Sequence, residues 1–164
     1  MDLPTDCNYY EIILMDGDKY DLGKPKFEKI MQHMKKTNFK FFEKQYKEYI
    51  IDDIIVHNYD NKETNVMRHT AKDIKIYDNY RIIGFHKTKL TTLNYPSTTY
   101  IYNILYVKKL IFRISNRIYI NYEIGMNEKN EKTYKVYLNY NHDSNVDMTS
   151  IHNTLSDMML ILLA

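Results

Sequence analysis

Between residues 110 and 124 the chain reads LIFRISNRIYINYEI. Leu110, Phe112, Ile114, Ile118, Ile120, Tyr122 and Ile124 fall on one parity, and Arg113, Ser115, Arg117, Tyr119, Asn121 and Glu123 on the other. A period of two marks a strand with one apolar face, because successive side chains point to opposite sides of a sheet. The polar face then meets either bulk water or an enclosed space, and function turns on which. Similar runs recur along the chain. NYYEIIL (8–14) predicts a first strand that stops at the turn-rich MDGDKYDLG. FKFFEKQYKEYIIDDIIVHNY, NVMRHTAKDIKIY, YRIIGFHKTKL and YIYNILYVKKLIFRISNRIYINYEIGM predict four β stretches, the last bending near Asn116. Polar breaks at DNKETN (60–65), DN (78–79) and NYPST (94–98) separate them. TYKVYLNYN (133–141) predicts one more strand, with Tyr134, Val136, Leu138 and Tyr140 on one face.

Two segments carry helical spacing instead. In KPKFEKIMQHMKK (24–36), Pro25 sits in the opening turn, Phe27, Ile30, Met31 and Met34 form a stripe, and Lys35 and Lys36 stand near the negative end of the dipole. Near the end of the sequence Asp147 or Thr149 can cap a helix whose apolar face is Ile151, Leu155, Met158, Met159 and Leu162. Its final residues, the uncharged MMLILLA, ask for cover, from the sheet or from a protein partner at that face. The expected fold is α+β: an antiparallel β-barrel or strongly curved meander sheet with an N-terminal and a C-terminal helix, in one domain spanning residues 1–164.

Composition narrows the function classes. A hydrophobic fraction of 44% and a charged fraction of 27% are those of a folding globular chain, not a disordered one. Net charge is only +2, so attraction to nucleic acid has to come from a local patch. Cys7 is the single cysteine, which excludes an internal disulfide and a thiolate zinc site. No stretch approaches a bilayer-spanning length and the opening MDLPTDCNYY lacks signal-peptide character, so no membrane partner and a cytoplasmic location are expected. The six histidines are scattered without ligand spacing, DSNVD lacks the later residues of a calcium loop, and Asp52 and Asp53, as neighbours in a strand, point to opposite faces. No Walker loop, dinucleotide fingerprint or nucleophile elbow is present.

The cations are the informative feature. Arg81, Lys87 and Lys89 share a parity in one predicted strand, and Lys109, Arg113 and Arg117 share one in another, with Arg68 able to join them. Such rows either form solvated faces or, if gathered by antiparallel neighbours, make a phosphate receptor.

The order of these elements resembles the triphosphate tunnel metalloenzyme family, whose viral members include the RNA 5'-triphosphatases of mRNA capping. The residues that carry the likeness are Glu11 in YEIIL, the Tyr and Asp of KEYIIDDIIVHNYD, Arg68 in VMRHT, Lys87 and Lys89 in FHKTKL, Arg113 and Arg117 in FRISNR, and a further strand before a C-terminal helix. The resemblance implies a closed barrel whose lumen holds a triphosphate on Arg68, Lys87, Lys89, Arg113 and Arg117, and strand parity adds Lys109 to the phosphate-binding candidates. The family's other half is a pair of E-x-E motifs that fix a divalent metal. Here Glu11 is followed by Ile12 and Ile13, and YKVYLNY has no acid. Metal-dependent hydrolysis needs those carboxylates. The expectation is therefore a degenerate tunnel that binds RNA 5' ends or another phosphate-bearing ligand without hydrolysis, with no catalytic residue, metal or cofactor. An assembly subunit docking through the apolar helix is the alternative. An active triphosphatase would have Glu11 as its catalytic candidate and Mn or Mg as cofactor.

Overall fold

Eight antiparallel strands close on themselves in the computed structural model, which describes residues 7–51, 53–60, 63–90, 103–114, 118–141, 153 and 156–157. They are β1 (Tyr9–Leu14), β2 (Phe41–Ile51), β3 (Ile54–Tyr59), β4 (Thr64–Ile76), β5 (Tyr80–Leu90), β6 (Asn103–Arg113), β7 (Ile118–Met126) and β8 (Lys132–Asn141), with one helix, α1 (Lys24–Lys35), between β1 and β2. Around the barrel the order is β1-β5-β4-β3-β2-β6-β7-β8, and β1 closes it by pairing with both β5 and β8. The β1–β5 and β2–β6 neighbours are non-sequential, so the sheet is no simple meander.

The expected fold class changes. The fold is mostly β, with a single helix among the described elements, and not α+β. The predicted C-terminal helix falls almost wholly outside the described residues, and with it the predicted partner face of Ile151, Leu155, Met158, Met159 and Leu162. Within the sheet, the run read as one stretch over residues 39–59 is a hairpin: Ile51 pairs with Ile54, so Asp53 lies in the turn and not in a strand.

The apolar core lies outside the barrel wall. Ile12 and Leu14 of β1, Ile118, Ile120 and Tyr122 of β7, and Val136 and Leu138 of β8 form one cluster with Phe27, Ile30 and Met34 of α1, each nearly or fully removed from solvent. Phe27 meets the edges of Tyr122 and Tyr134 at ring-centroid distances of 5.9 and 5.3 Å. Burying a side chain of this size contributes about 2–3 kcal/mol, so the helix is held by packing more than by its own propensity. Asp21 fixes its approach, accepting hydrogen bonds at one carboxylate oxygen from the backbone N–H groups of Gly23 and Tyr134, both at 3.0 Å. Gly23, at φ 75°, supplies the left-handed turn that opens the helix.

Because alternate side chains of β1, β7 and β8 fill this outer core, the intervening ones must point inward. The polar face of the 118–124 stretch is therefore enclosed: Tyr119, Asn121 and Glu123 line the lumen.

Candidate functional site

The lumen is a cavity of about 540 Å³ to which every strand contributes an ionisable side chain. In barrel order these are Glu11 (β1), Lys87 (β5), His69 (β4), His57 (β3), Lys44 and Glu48 (β2), Lys109 (β6), Glu123 (β7) and Lys135 (β8). Strand register lines several of them up as direct cross-strand partners. Lys44 lies opposite Lys109, Lys109 opposite Glu123, and Glu123 opposite Lys135. Lys135 then reaches Glu11, with Nζ 3.7 Å from Oε1.

The acids are already engaged by neighbours in the wall. Glu11 accepts a hydrogen bond from the Tyr9 hydroxyl at 3.0 Å as well as facing Lys135. Glu48 meets His57 Nε2 at 2.8 Å; burial works against its charge, yet the bond and charge of His57, with Lys109 beyond, hold its carboxyl below the usual range. Glu123 is raised, first by burial, with Lys135 and Lys109 pulling the other way. Lys135 faces the same burial cost, and the nearby Glu11 and Glu123 outweigh it, so its affinity for the proton is raised.

For the cations of β5 and β6, burial outweighs the nearby acids. Burial lowers both Lys87 and Lys109; Glu11 works against it at Lys87 and Glu123 at Lys109, and Lys44 depresses each further by a smaller amount. Rings stand in for anions around them: Lys87 Nζ sits 4.6 Å from the Tyr9 ring centroid and Lys109 Nζ 5.1 Å from that of Tyr46, while Lys109 also donates to the Tyr137 hydroxyl at 3.4 Å. Burial, then the charge of Lys87, pushes His69 down to about 4, so it is neutral at physiological pH. Its Nε2 is buried with no hydrogen-bond partner among the described residues. Lys87 is placed from the backbone: Asn8 donates to the Lys87 carbonyl at 2.9 Å and accepts from its N–H at 2.6 Å, extending the β1–β5 pairing by a side chain.

Of the sequence-derived candidates, Lys87 and Lys109 line the cavity. Lys89 pairs with the cavity residue Met67 and is exposed at the end of β5. Arg113 pairs with the cavity residue Tyr119 and is exposed at the end of β6. Both stand at the rim by strand alternation. Arg68 does not join them. Met67 and His69 take the inward parity of β4, so Arg68 projects outside, where its Nε is 3.5 Å from Asp53 Oδ2. Arg117 lies outside the described residues. Sequence reasoning missed Lys44, Glu48, Lys135, His57 and His69 as members of one site. Their alternation was visible, but which parity faced inward was not.

A divalent metal fits this donor set poorly. The inward positions of β8 are Lys135, Tyr137 and Asn139, with no acid, and Tyr9 precedes Glu11 on the inward face of β1. Among the described residues no three His, Cys, Asp or Glu side chains converge as a metal site would require.

Comparison with known proteins places this geometry. The barrel is similar to the RNA triphosphatase domain of the trifunctional mimivirus mRNA capping enzyme, with a TM-score of 0.72 and 12% identity over 99% of this chain and 92% of that one. It is also similar to the Pct1 RNA triphosphatase of S. pombe, at 0.68 and 8% over 97% and 85%, a protein also solved in complex with the Spt5 CTD. No protein family model and no curated protein matches the sequence. At such identities the likeness is one of fold, and the class it defines is the tunnel-fold β-barrel. The chain is a closed eight-strand barrel with the fold of these RNA triphosphatases. No helix among the described residues is long and apolar enough to cross a membrane.

Proposed function

We propose that the tunnel binds a phosphate-bearing ligand, an RNA 5' end foremost, and does not hydrolyse it. What carries the reading is the lysine pair at the β2–β6 junction. Lys44 and Lys109 are directly opposite one another across the sheet, an arrangement that is destabilising for like charges unless an anion lies between them. Lys87 faces the same space, and the unpartnered Nε2 of His69 beside it can meet a polar ligand atom. Lys89 and Arg113 at the rim extend the cationic path outward. The four lining lysines exceed the three lining glutamates by only one; Glu11 meets Lys135, Glu48 meets His57, and Glu123 lies cross-strand from both Lys109 and Lys135. The positive charge left without an acid directly opposite is that of Lys44 and Lys87, with Lys109 shared between Lys44 and Glu123.

The same commitments argue against hydrolysis. Phosphoryl transfer to water needs something to fix and activate the nucleophile and neutralise the developing charge, and no lumen carboxylate is left over for that work. Titration with 5'-triphosphorylated RNA at two or more salt concentrations tests the proposal. Affinity should fall linearly with the logarithm of salt concentration, since each phosphate contact releases counter-ions. The K87E/R113E double variant should abolish binding at low salt. Unchanged binding by that variant, or release of phosphate by the wild type with Mg or Mn above background, would overturn it.

A further inference from the structure

The end of the barrel where β2 begins, β6 finishes and β7 begins is rimmed by an unusual feature. Phe42 is on the inward face, lines the cavity, and is 44% exposed. Phe39 and Phe41, at 40% and 50%, are also exposed on the same end, Phe41 with one side of its ring against Phe112 at a centroid distance of 5.0 Å. Leaving a phenyl ring in water forfeits much of the 2–3 kcal/mol its burial would contribute, about the value of one core side chain. Toward the other end the inward positions change character: Ile13, Met15 and Tyr137 form a buried cluster with Ile83 against it.

Register sets Phe42 against the cations. It is two residues along β2 from Lys44, about 6.6 Å of strand, on the same face and one step nearer the mouth. Its cross-strand partner is Ile111, beside which Lys109 and Arg113 occupy the flanking inward positions of β6. Lys44 Nζ is 5.7 Å from the Phe42 ring centroid, so cation and ring already share an edge of the cavity. Tyr119, paired with Arg113, lines the cavity one strand further along the wall, on β7. A charged group seated between Lys44 and Lys109 thus has the Phe42 ring one strand step toward the mouth on the same face.

We infer that Phe42 is a base-stacking subsite, so that the ligand of the tunnel is a nucleotide or RNA 5' end entered phosphate-first, with its first base on the Phe42 ring, and not an inorganic polyphosphate. This rests on phosphate binding in the lumen and adds to it the part of the ligand that is not phosphate. Base–aromatic stacking is sequence-tolerant, because every base presents a π face.

The experiment measures binding of three probes to the intact chain by titration calorimetry: inorganic tripolyphosphate, adenosine triphosphate and a short 5'-triphosphorylated RNA. In the wild type the two nucleotide probes should bind more tightly than tripolyphosphate. Phe42→Ala should weaken both of them by about five- to a hundredfold while leaving tripolyphosphate within twofold. Phe42→Tyr, which keeps the ring, should restore wild-type affinity, and a thermal melt of each variant checks that the fold is retained, as expected for a half-exposed position. Equal weakening of tripolyphosphate by Phe42→Ala would overturn the stacking role while sparing the lumen reading, as would equal wild-type affinity for all three probes. Failure of the wild type to bind any of the three would sink both.

Discussion

Replacing Lys135 by Gln (K135Q) removes the cation that β8 places between two lumen carboxylates, leaving Glu11 without the partner 3.7 Å away and Glu123 without its cross-strand neighbour. Removing one member of a fully buried pair costs about 3–5 kcal/mol, because the other charge stays behind uncompensated. The side chains here retain 22% and 14% of their exposure, so water recovers part of that cost. A loss of about 2–3 kcal/mol near neutral pH follows, or roughly 4–12 °C in Tm for a chain of this size. The pH dependence has a definite sign. Glu123 is already raised in the folded state by burial, and losing Lys135 raises it further. A group with a raised folded pKa contributes most below its unfolded value and loses that contribution as pH rises through the folded one. The K135Q deficit should therefore grow as pH climbs through and above the ordinary carboxylate range, and shrink in acid, where a protonated glutamate no longer needs the lysine. The proton of Lys135 itself is held more tightly than usual, so the wild type keeps its side of the bridge through the lysine range. Urea unfolding at pH 7.5 and pH 4.5, wild type against variant, measures this. A deficit of equal size at both pH values, or none at pH 7.5, would refute the picture of a lumen stitched together by charge.

Three other outcomes can be checked independently. Lys44→Gln relieves the like-charge pairing with Lys109 at an exposed position, so stability should stay within about 0.5 kcal/mol or rise, while affinity for tripolyphosphate falls severalfold; a large loss of Tm would contradict the assignment. Phe27→Ala empties the centre of the outer core, and its cost of about 3–5 kcal/mol should be read as a lowered urea midpoint with the far-UV spectrum of the barrel unchanged below it. Asn8→Ala removes the side chain that brackets Lys87, so the Lys87 amide should exchange with deuterium much faster while amides in the middle of β5 keep their protection; unchanged exchange at Lys87 would show that the bracket is dispensable.

Much of the fold was readable because alternation is a local property. The strands around 8–14, 80–90 and 133–141 and the helix from Lys24 stand close to where the pattern put them, and the apolar faces of β7 and β8 are the buried ones. The β2–β3 hairpin was missed because YIIDDIIV is apolar on both sides of two aspartates, and Asp-Asp lacks the glycine that makes Asn-Gly or Asp-Gly announce a tight turn in sequence. The site was legible by residue type and not by membership. Lys87 and Lys109 line the cavity whereas Arg68, read from the same kind of pattern, faces outward, because a one-residue difference in parity reverses the face and register is settled only by the partner strand. Glu48 and His57 illustrate the same limit. They meet at 2.8 Å across a hairpin that the sequence did not announce.

The location of the oily core has an evolutionary consequence. In most small proteins the middle of the molecule is what keeps it folded, so mutations there are punished. Here cohesion comes from the seam between the wall and α1, made by Ile12, Ile120, Leu138 and Phe27, while the middle is occupied by ionisable groups whose balance matters more than their identity. A vessel built this way can have its contents rewritten with the masonry left standing. Chains that share roughly a tenth of their residues with this one hold the same shape.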